Sequence, residues 1–197
     1  MARLTRAQSQ AQTRRRLIDA AATVFARRGF HGASIDEVAE EAEFSKGAVY
    51  SNFDSKDELF LAVLEDRLHS QANFFGQLAQ RAHTQPADDL LALLPPLDGP
   101  DEVWCLLECE FWLYALRNAA ISKRVAALYK QYRSELAPIA ASYASDELSP
   151  GDVVSAAIAL YYGLTLQWHA DPGVIQPDLV ARVLRALERA ATPKEQT

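Results

Sequence analysis

Three groups of side chains in this sequence are of types that do chemistry. Glu108 and Glu110 interrupt an apolar segment, and together with His169 they are residue types that serve in acid–base work. His169 sits on a different predicted helix from the two acids and no motif fixes their geometry, so a small all-α enzyme using a helical cavity is the remotest reading. Cys105 and Cys109 stand one helical turn apart with no histidine nearby to complete a ligand set. They read as buried structural thiols, and neither a metal nor a cofactor is expected. The third group is Ser34, Ser45, Lys46, Gly47, Ser51 and Asn52, whose hydroxyl, ammonium, amide and bare backbone suit contact with phosphates and base edges.

The elements that would position this third group are legible around it. Ser34 and Glu37 form a capping box, followed by the apolar stripe Ile35, Val38, Ala39 and Ala42 of a short helix. Ser45 starts a second helix before Ala48 and Val49, and Ser55 with Glu58 caps a third. Two short helices joined by a tight turn give a helix-turn-helix, with the required small residue at Ala39 and the apolar one at Val49. Such a motif lays the start of its second helix against base edges in the major groove. Ser45 and Lys46 occupy that start, Lys46 is placed to donate to guanine, and Gly47 lets the backbone approach closely. Ser51 and Asn52 complete the exposed face, Ser34 can offer its hydroxyl or amide to phosphate, and Val49 and Phe53 face inward as core.

Overall charge does not advertise a nucleic-acid partner, since the 197 residues carry a net charge of −6. Its distribution does better. Within the first 30 residues Arg3, Arg6, Arg14, Arg15, Arg16, Arg27 and Arg28 face only Asp19, which suits a DNA-binding surface confined to one end. The first dozen residues are polar and expected to fray. Leu17, Ala21, Val24 and Phe25 then recur at helical spacing up to Gly29, a natural helix end, and Phe25 and Phe30 should pack against Val38 and Val49. No apolar run approaches the ~20 residues that span a bilayer, so a cytoplasmic protein with no membrane partner is expected.

Scarce glycine and the lack of period-two alternation make the chain all-α. A long helix runs from Ser55 towards Ala82, and short segments bounded by Gln85-Pro86 and Pro95-Pro96 enclose another helix. Further helices are expected over Glu102 to Asn118, Ile121 to Tyr143 with a kink at Pro138, Pro150 to His169, and Gln176 to Ala191. The stretch from Val103 to Tyr143 is rich in aromatics. Trp104, Phe111, Trp112, Tyr129 and Tyr132, with Tyr162 and Trp168 from a later helix, could line an apolar pocket. Glu108 in that pocket would hold a cationic ligand; the alternative open for it and for Glu110 is an internal pair with Arg117, Arg124 or Arg133. The last two helices carry apolar stripes including Val154, Ile158 and Tyr161 on one and Val180, Val183, Leu184 and Leu187 on the other, as a dimer interface would, unless both pack inside one subunit.

The stretch SKGAVYSNFDSKDEL is similar to the DNA-binding signature of the TetR family of bacterial transcriptional regulators, closely from about Arg14 to Leu64. The resemblance implies a helix-turn-helix domain over residues 1–54 and a larger helical ligand-binding and dimerisation domain over 55–197. It implies that Tyr50 and Lys56 contact the phosphate backbone, and that the final two helices pair with their counterparts in an isologous four-helix bundle. The function it implies is a ligand-responsive regulator, most often a repressor, binding a palindromic double-stranded DNA operator as a homodimer and released by a small apolar or cationic effector. The alternative is a DNA-binding dimer without an effector, controlled by a protein partner. One departure is clear: Glu43 stands where the turn usually has glycine, beside Phe44 where a smaller residue is common. A non-glycine residue at positive φ costs on the order of 1 kcal/mol, so a distorted turn is expected.

Overall fold

A computed structural model describes residues 5–82, 97 and 102–191. Helix α1 (Arg6–Gly32) is followed by α2 (Ile35–Glu41), α3 (Lys46–Tyr50) and the long α4 (Lys56–Ala82). Then come α5 (Glu102–Ala115), α6 (Ala119–Ala140), a 3-10 turn (Ala141–Tyr143), α7 (Pro150–Ala170) and α8 (Leu179–Ala191), with no strand among the described residues. The helix expected between Gln85 and Pro96 lies outside the described residues.

The chain folds into two compact units, one of residues 1–67 and 107–125, the other of residues 68–106 and 126–197. The first unit takes the start of α4 and parts of α5 and α6 along with the three N-terminal helices. The reason is aromatic packing. Phe30 meets Phe60 at 5.2 Å and Phe111 at 4.9 Å, both edge-on, and Phe25 meets Phe60 at 5.0 Å. Each ring is at most 2 % exposed, so a four-ring core ties α1, α4 and α5 together.

Local signals explain the helix ends. Within the first dozen residues, expected to fray, 6–12 are helical, because α1 begins at Arg6. Thr5 is its N-cap and shares a capping box with Gln8, the Thr5 amide donating to Gln8 Oε1 at 2.9 Å. Gly29 takes φ 73° and ψ 170°, interrupting α1 before Phe30. The turn between α2 and α3 does place Glu43 at φ 58°, yet it closes normally: Phe44 N donates to Ala39 O at 2.9 Å. Arg16 supplies the compensation. Its guanidinium donates to Ala42 O at 3.1 Å, stands 4.7 Å from the centroid of the Phe44 ring and lies 3.6 Å from the Glu43 carboxylate. One side chain thus holds both residues that depart from the usual turn.

In the second unit, α6 runs through Pro138 and ends two residues later, where the 3-10 turn takes over. Ser149 and Asp152 form a reciprocal capping box at the start of α7 with Pro150 in the first turn, and α7 and α8 pack against each other.

Candidate nucleic-acid interface

The short helix α3 is positioned by three caps. Ser34 accepts from Glu37 N at 3.2 Å and opens α2, which holds α3 through the turn just described. Ser45 accepts from Ala48 N at 3.2 Å and opens α3 itself. Ser55 accepts from Glu58 N at 3.1 Å and starts α4, while the Glu58 carboxylate pairs with Arg124. Val49 and Phe53 are buried, as expected, and anchor the helix. The opposite edge, Ser45, Lys46, Gly47, Tyr50 and Ser51, is exposed, with Tyr50 at 49 %.

Gly47 lies in the middle of this edge. A methyl group built there would meet nothing nearer than Ser45 Oγ at 3.7 Å, so the fold itself makes no demand for glycine. Glycine inside a helix nevertheless costs roughly 1 kcal/mol relative to alanine. The backbone beside Lys46 and Tyr50 is thereby left bare to solvent. Lys46 Nζ lies 2.9 Å from Asp36 Oδ2, and this hydrogen bond raises its pKa, keeping the ammonium charged. Ser51 Oγ donates to Ala48 O at 2.8 Å and Asn52 Nδ2 to the same carbonyl at 2.9 Å, so both side chains finish the end of α3.

Two residues expected at phosphates, Ser34 and Lys56, have partners within the chain. Ser34 is committed to its cap: its amide and its hydroxyl each donate to Glu37 Oε2 at 3.0 Å, and the pair, led by the hydroxyl, holds the Glu37 carboxyl below its ordinary pKa. Lys56 turns inward. Its ammonium donates to the carbonyls of Phe30 at 2.8 Å, Ala33 at 3.1 Å and His31 at 3.4 Å, and stands 4.7 Å from the Phe30 ring centroid. Three protons meet three acceptors, so Lys56 pins the end of α1 to the start of α4.

The proposed effector residues divide between the units. Phe111, in the first, is completely buried in the four-ring core and is structural. Glu108 is 2 % exposed, and Arg67 Nε, from α4, donates to its Oε1 at 3.2 Å, an internal partner that the sequence did not suggest. Glu110 serves the head instead. Its two oxygens accept from Phe30 N at 3.0 Å and His31 N at 2.9 Å, amides exposed by the interruption at Gly29. Trp112 is half-buried on the same helix.

In the second unit Tyr129 and Tyr132 are buried on α6, and Tyr129 Oη lies 3.3 Å from Tyr162 Oη on α7. Tyr132 donates to Gln71 Oε1 at 3.5 Å. Trp104 and Trp168 are half-buried, the latter edge-on to His169 at 5.3 Å. Of the interface positions, Val154 and Val180 are buried within the chain itself, whereas Ile158, Tyr161, Val183 and Leu184 are half-exposed. The side chain of Leu187 lies outside the described residues. Sequence periodicity missed Leu166, a large apolar residue on α7 that is 46 % exposed. Among the described residues no cluster of histidine, cysteine or acid side chains could hold a metal ion, and no helix is long and apolar enough to cross a membrane.

A capped helix-turn-helix with an outward polar edge, set in an all-α chain, is the architecture of a DNA-binding regulator. Residues 17–63 match the model of the bacterial regulatory proteins of the tetR family, and residues 85–191 match that of the BetI-type transcriptional repressor C-terminal domain. The chain belongs to the TetR family and is a ligand-responsive transcriptional regulator. It is 30 % identical over 169 residues to the HTH-type nicotine-responsive transcriptional repressor HdnoR of Paenarthrobacter nicotinovorans, spanning 83 % of this chain and 87 % of that one. The crystal structure of a TetR-family transcriptional regulator from Rhodococcus sp. superposes with a TM-score of 0.70 at 23 % identity, covering 92 % of this chain and 100 % of the other. That of the multidrug binding protein EbrR complexed with imidazole gives 0.59 at 26 % identity, covering 94 % and 93 %.

Proposed function

We propose that this regulator is a cytoplasmic repressor that binds a palindromic operator as a homodimer and is released by a small organic amine. The exposed edge of α3, with Gly47 bare between Lys46 and Tyr50, carries the reading. One head offers few base contacts. Two heads related by a dyad would read half-sites about one helical turn (~34 Å) or somewhat more apart. Support for the dimer comes from the half-exposed apolar positions Ile158, Tyr161, Val183 and Leu184 together with exposed Leu166.

The amine preference draws on two observations. Tyr129, Tyr132 and Tyr162 gather ring faces and hydroxyls in the second unit, the kind of lining that attracts a cation. HdnoR, which matches along most of its length, is described as nicotine-responsive. The effector acts only through a difference in affinity between the DNA-competent and DNA-incompetent states, ~1–3 kcal/mol in typical cases. Because α4 is one continuous helix from the head into the second unit, its tilt is a direct route for that coupling.

The test begins with selection of bound duplexes from a random pool. A palindromic consensus is expected, with fluorescence anisotropy then following its release by nicotine and by a neutral compound of equal size. Release by the amine alone supports the reading. Retention of no duplex at modest salt would sink the repressor; tight duplex binding unmoved by either compound would sink the amine.

A further inference from the structure

Ala7, Gln10, Ala11 and Arg14 recur at intervals of three and four and so share one face of the first turns of α1. With Ser51 and Asn52, which end the recognition helix, they line an open groove of about 320 Å³. Arg14 brings the groove's positive charge, and no acid lines it. Its guanidinium is held in place from below: it stands 4.2 Å from the Phe53 ring centroid and donates one bond to Asn52 O at 3.1 Å. A guanidinium has five donors, so this leaves a rigid fork at a solvent-exposed site. Two small alanines keep the floor open, and Gln10 and Ser51 add neutral polar groups.

We propose that this groove seats a phosphodiester of the operator backbone flanking the bases read by α3, making the start of α1 a second DNA-binding element. The inference rests on the reading of α3 as the recognition helix. Three features favour a backbone over any other occupant. The groove continues from the exposed edge at Tyr50 and Ser51; an anchored arginine fork matches phosphate oxygens in geometry and charge; and its polar walls suit a charged strand better than an apolar ligand. Such contacts fix register and carry no base preference of their own.

Charge changes at Gln10, which is exposed on the first turns of α1, test the idea without disturbing the fold. Gln10→Lys should tighten binding to the operator and to an unrelated duplex alike, and steepen the salt dependence by about 0.9 per head; Gln10→Glu should do the reverse. Thr23→Lys, exposed and farther along the same helix, should leave both unchanged. Arg14→Lys should weaken both duplexes several-fold while retaining the preference between them. Unaltered slopes in both Gln10 variants, or an equal response from Thr23→Lys, would overturn the proposal while operator binding by the native chain keeps the α3 reading alive. If the native chain binds no duplex at low salt, the α3 reading fails and the groove's role with it.

Discussion

Gly29 and Glu110 form a unit whose energetics can be worked out and measured. Gly29 holds φ 73° and ψ 170°, a combination essentially reserved for glycine, and a methyl group there would stand 2.8 Å from Glu110 Oε2. Gly29→Ala therefore incurs backbone strain of about 2 kcal/mol. It also pushes Glu110 off one of its two amide bonds, which are charge-assisted and cost about 1.5 kcal/mol each when lost. The sum for the single variant is about 3.5 kcal/mol, while Glu110→Ala, losing both bonds, costs about 3 kcal/mol. In the double variant the clash is gone, so Gly29→Ala adds back its strain alone and the total is about 5 kcal/mol rather than 6.5. Urea unfolding of the four proteins, followed by circular dichroism, reads this coupling of about 1.5 kcal/mol directly. Strict additivity would refute the claim that the glycine is required by the carboxylate as well as by the backbone. A destabilisation below ~1 kcal/mol in Gly29→Ala would refute the strained conformation itself.

Four shorter predictions accompany it. Lys56→Met should destabilise the head by about 2–3 kcal/mol through loss of its three carbonyl contacts, with the salt slope of DNA binding unchanged; a slope shallower by one would return Lys56 to phosphate. Asp36→Asn frees Lys46 and removes a negative charge beside α3, so duplex affinity should rise and the salt slope steepen by up to about one, as read by anisotropy titration. Phe111→Ala should cost about 3–5 kcal/mol in thermal or urea unfolding as a core deletion, with effector affinity unaffected once folded. The Glu37 carboxyl is held below its ordinary pKa, so it contributes stability above the usual carboxylate range that is lost as pH falls through its folded value; Glu37→Gln should flatten the acid limb of the stability–pH profile.

What the sequence made legible is what depends on neighbours within one turn. The capping box at Ser34, the short helix opened by Ser45 and the break at Gly29 follow from residues three or four apart. The box of Thr5 and Gln8 has the same form but opens a polar turn, where no apolar stripe announces a helix. Long-range partners were beyond such reasoning. The spacing of Glu110 tells that it shares a stripe with apolar residues, but the acceptors it would meet are amides 80 and 79 positions earlier, and their availability depends on the φ of Gly29. Phe111 likewise looked like pocket lining because an aromatic stripe has the same period whether it faces a ligand or three other rings. Arg16 explains why Glu43 and Phe44 do no harm, and nothing local to the turn could have suggested a clamp from α1.

The basic N-terminus also changes meaning once its partners are known. Arg15 pairs with Asp19 and Asp66, Arg16 lies near Glu43, Arg27 near Glu41 and Arg28 against Glu37. Each arginine so matched is neutralised at short range, whatever it adds to stability as an exposed pair. Four of the cations that seemed to advertise a DNA-binding field are thus paired with acids, joining α1 to α2, to the turn after it and to α4, while Lys56 keeps its charge but turns it inward onto carbonyls. Arg14 differs, because its anchors are a ring and a carbonyl rather than an acid, and Lys46 differs because its acid partner is itself exposed beside α3. On the proposed reading of α3, the matched arginines would contribute less to counterion release than their number in the sequence suggests, and fit at the bare backbone of Gly47 and the start of α3 would carry more of the affinity. A net charge of −6 favours the same division, because an acidic chain gains little long-range attraction to DNA.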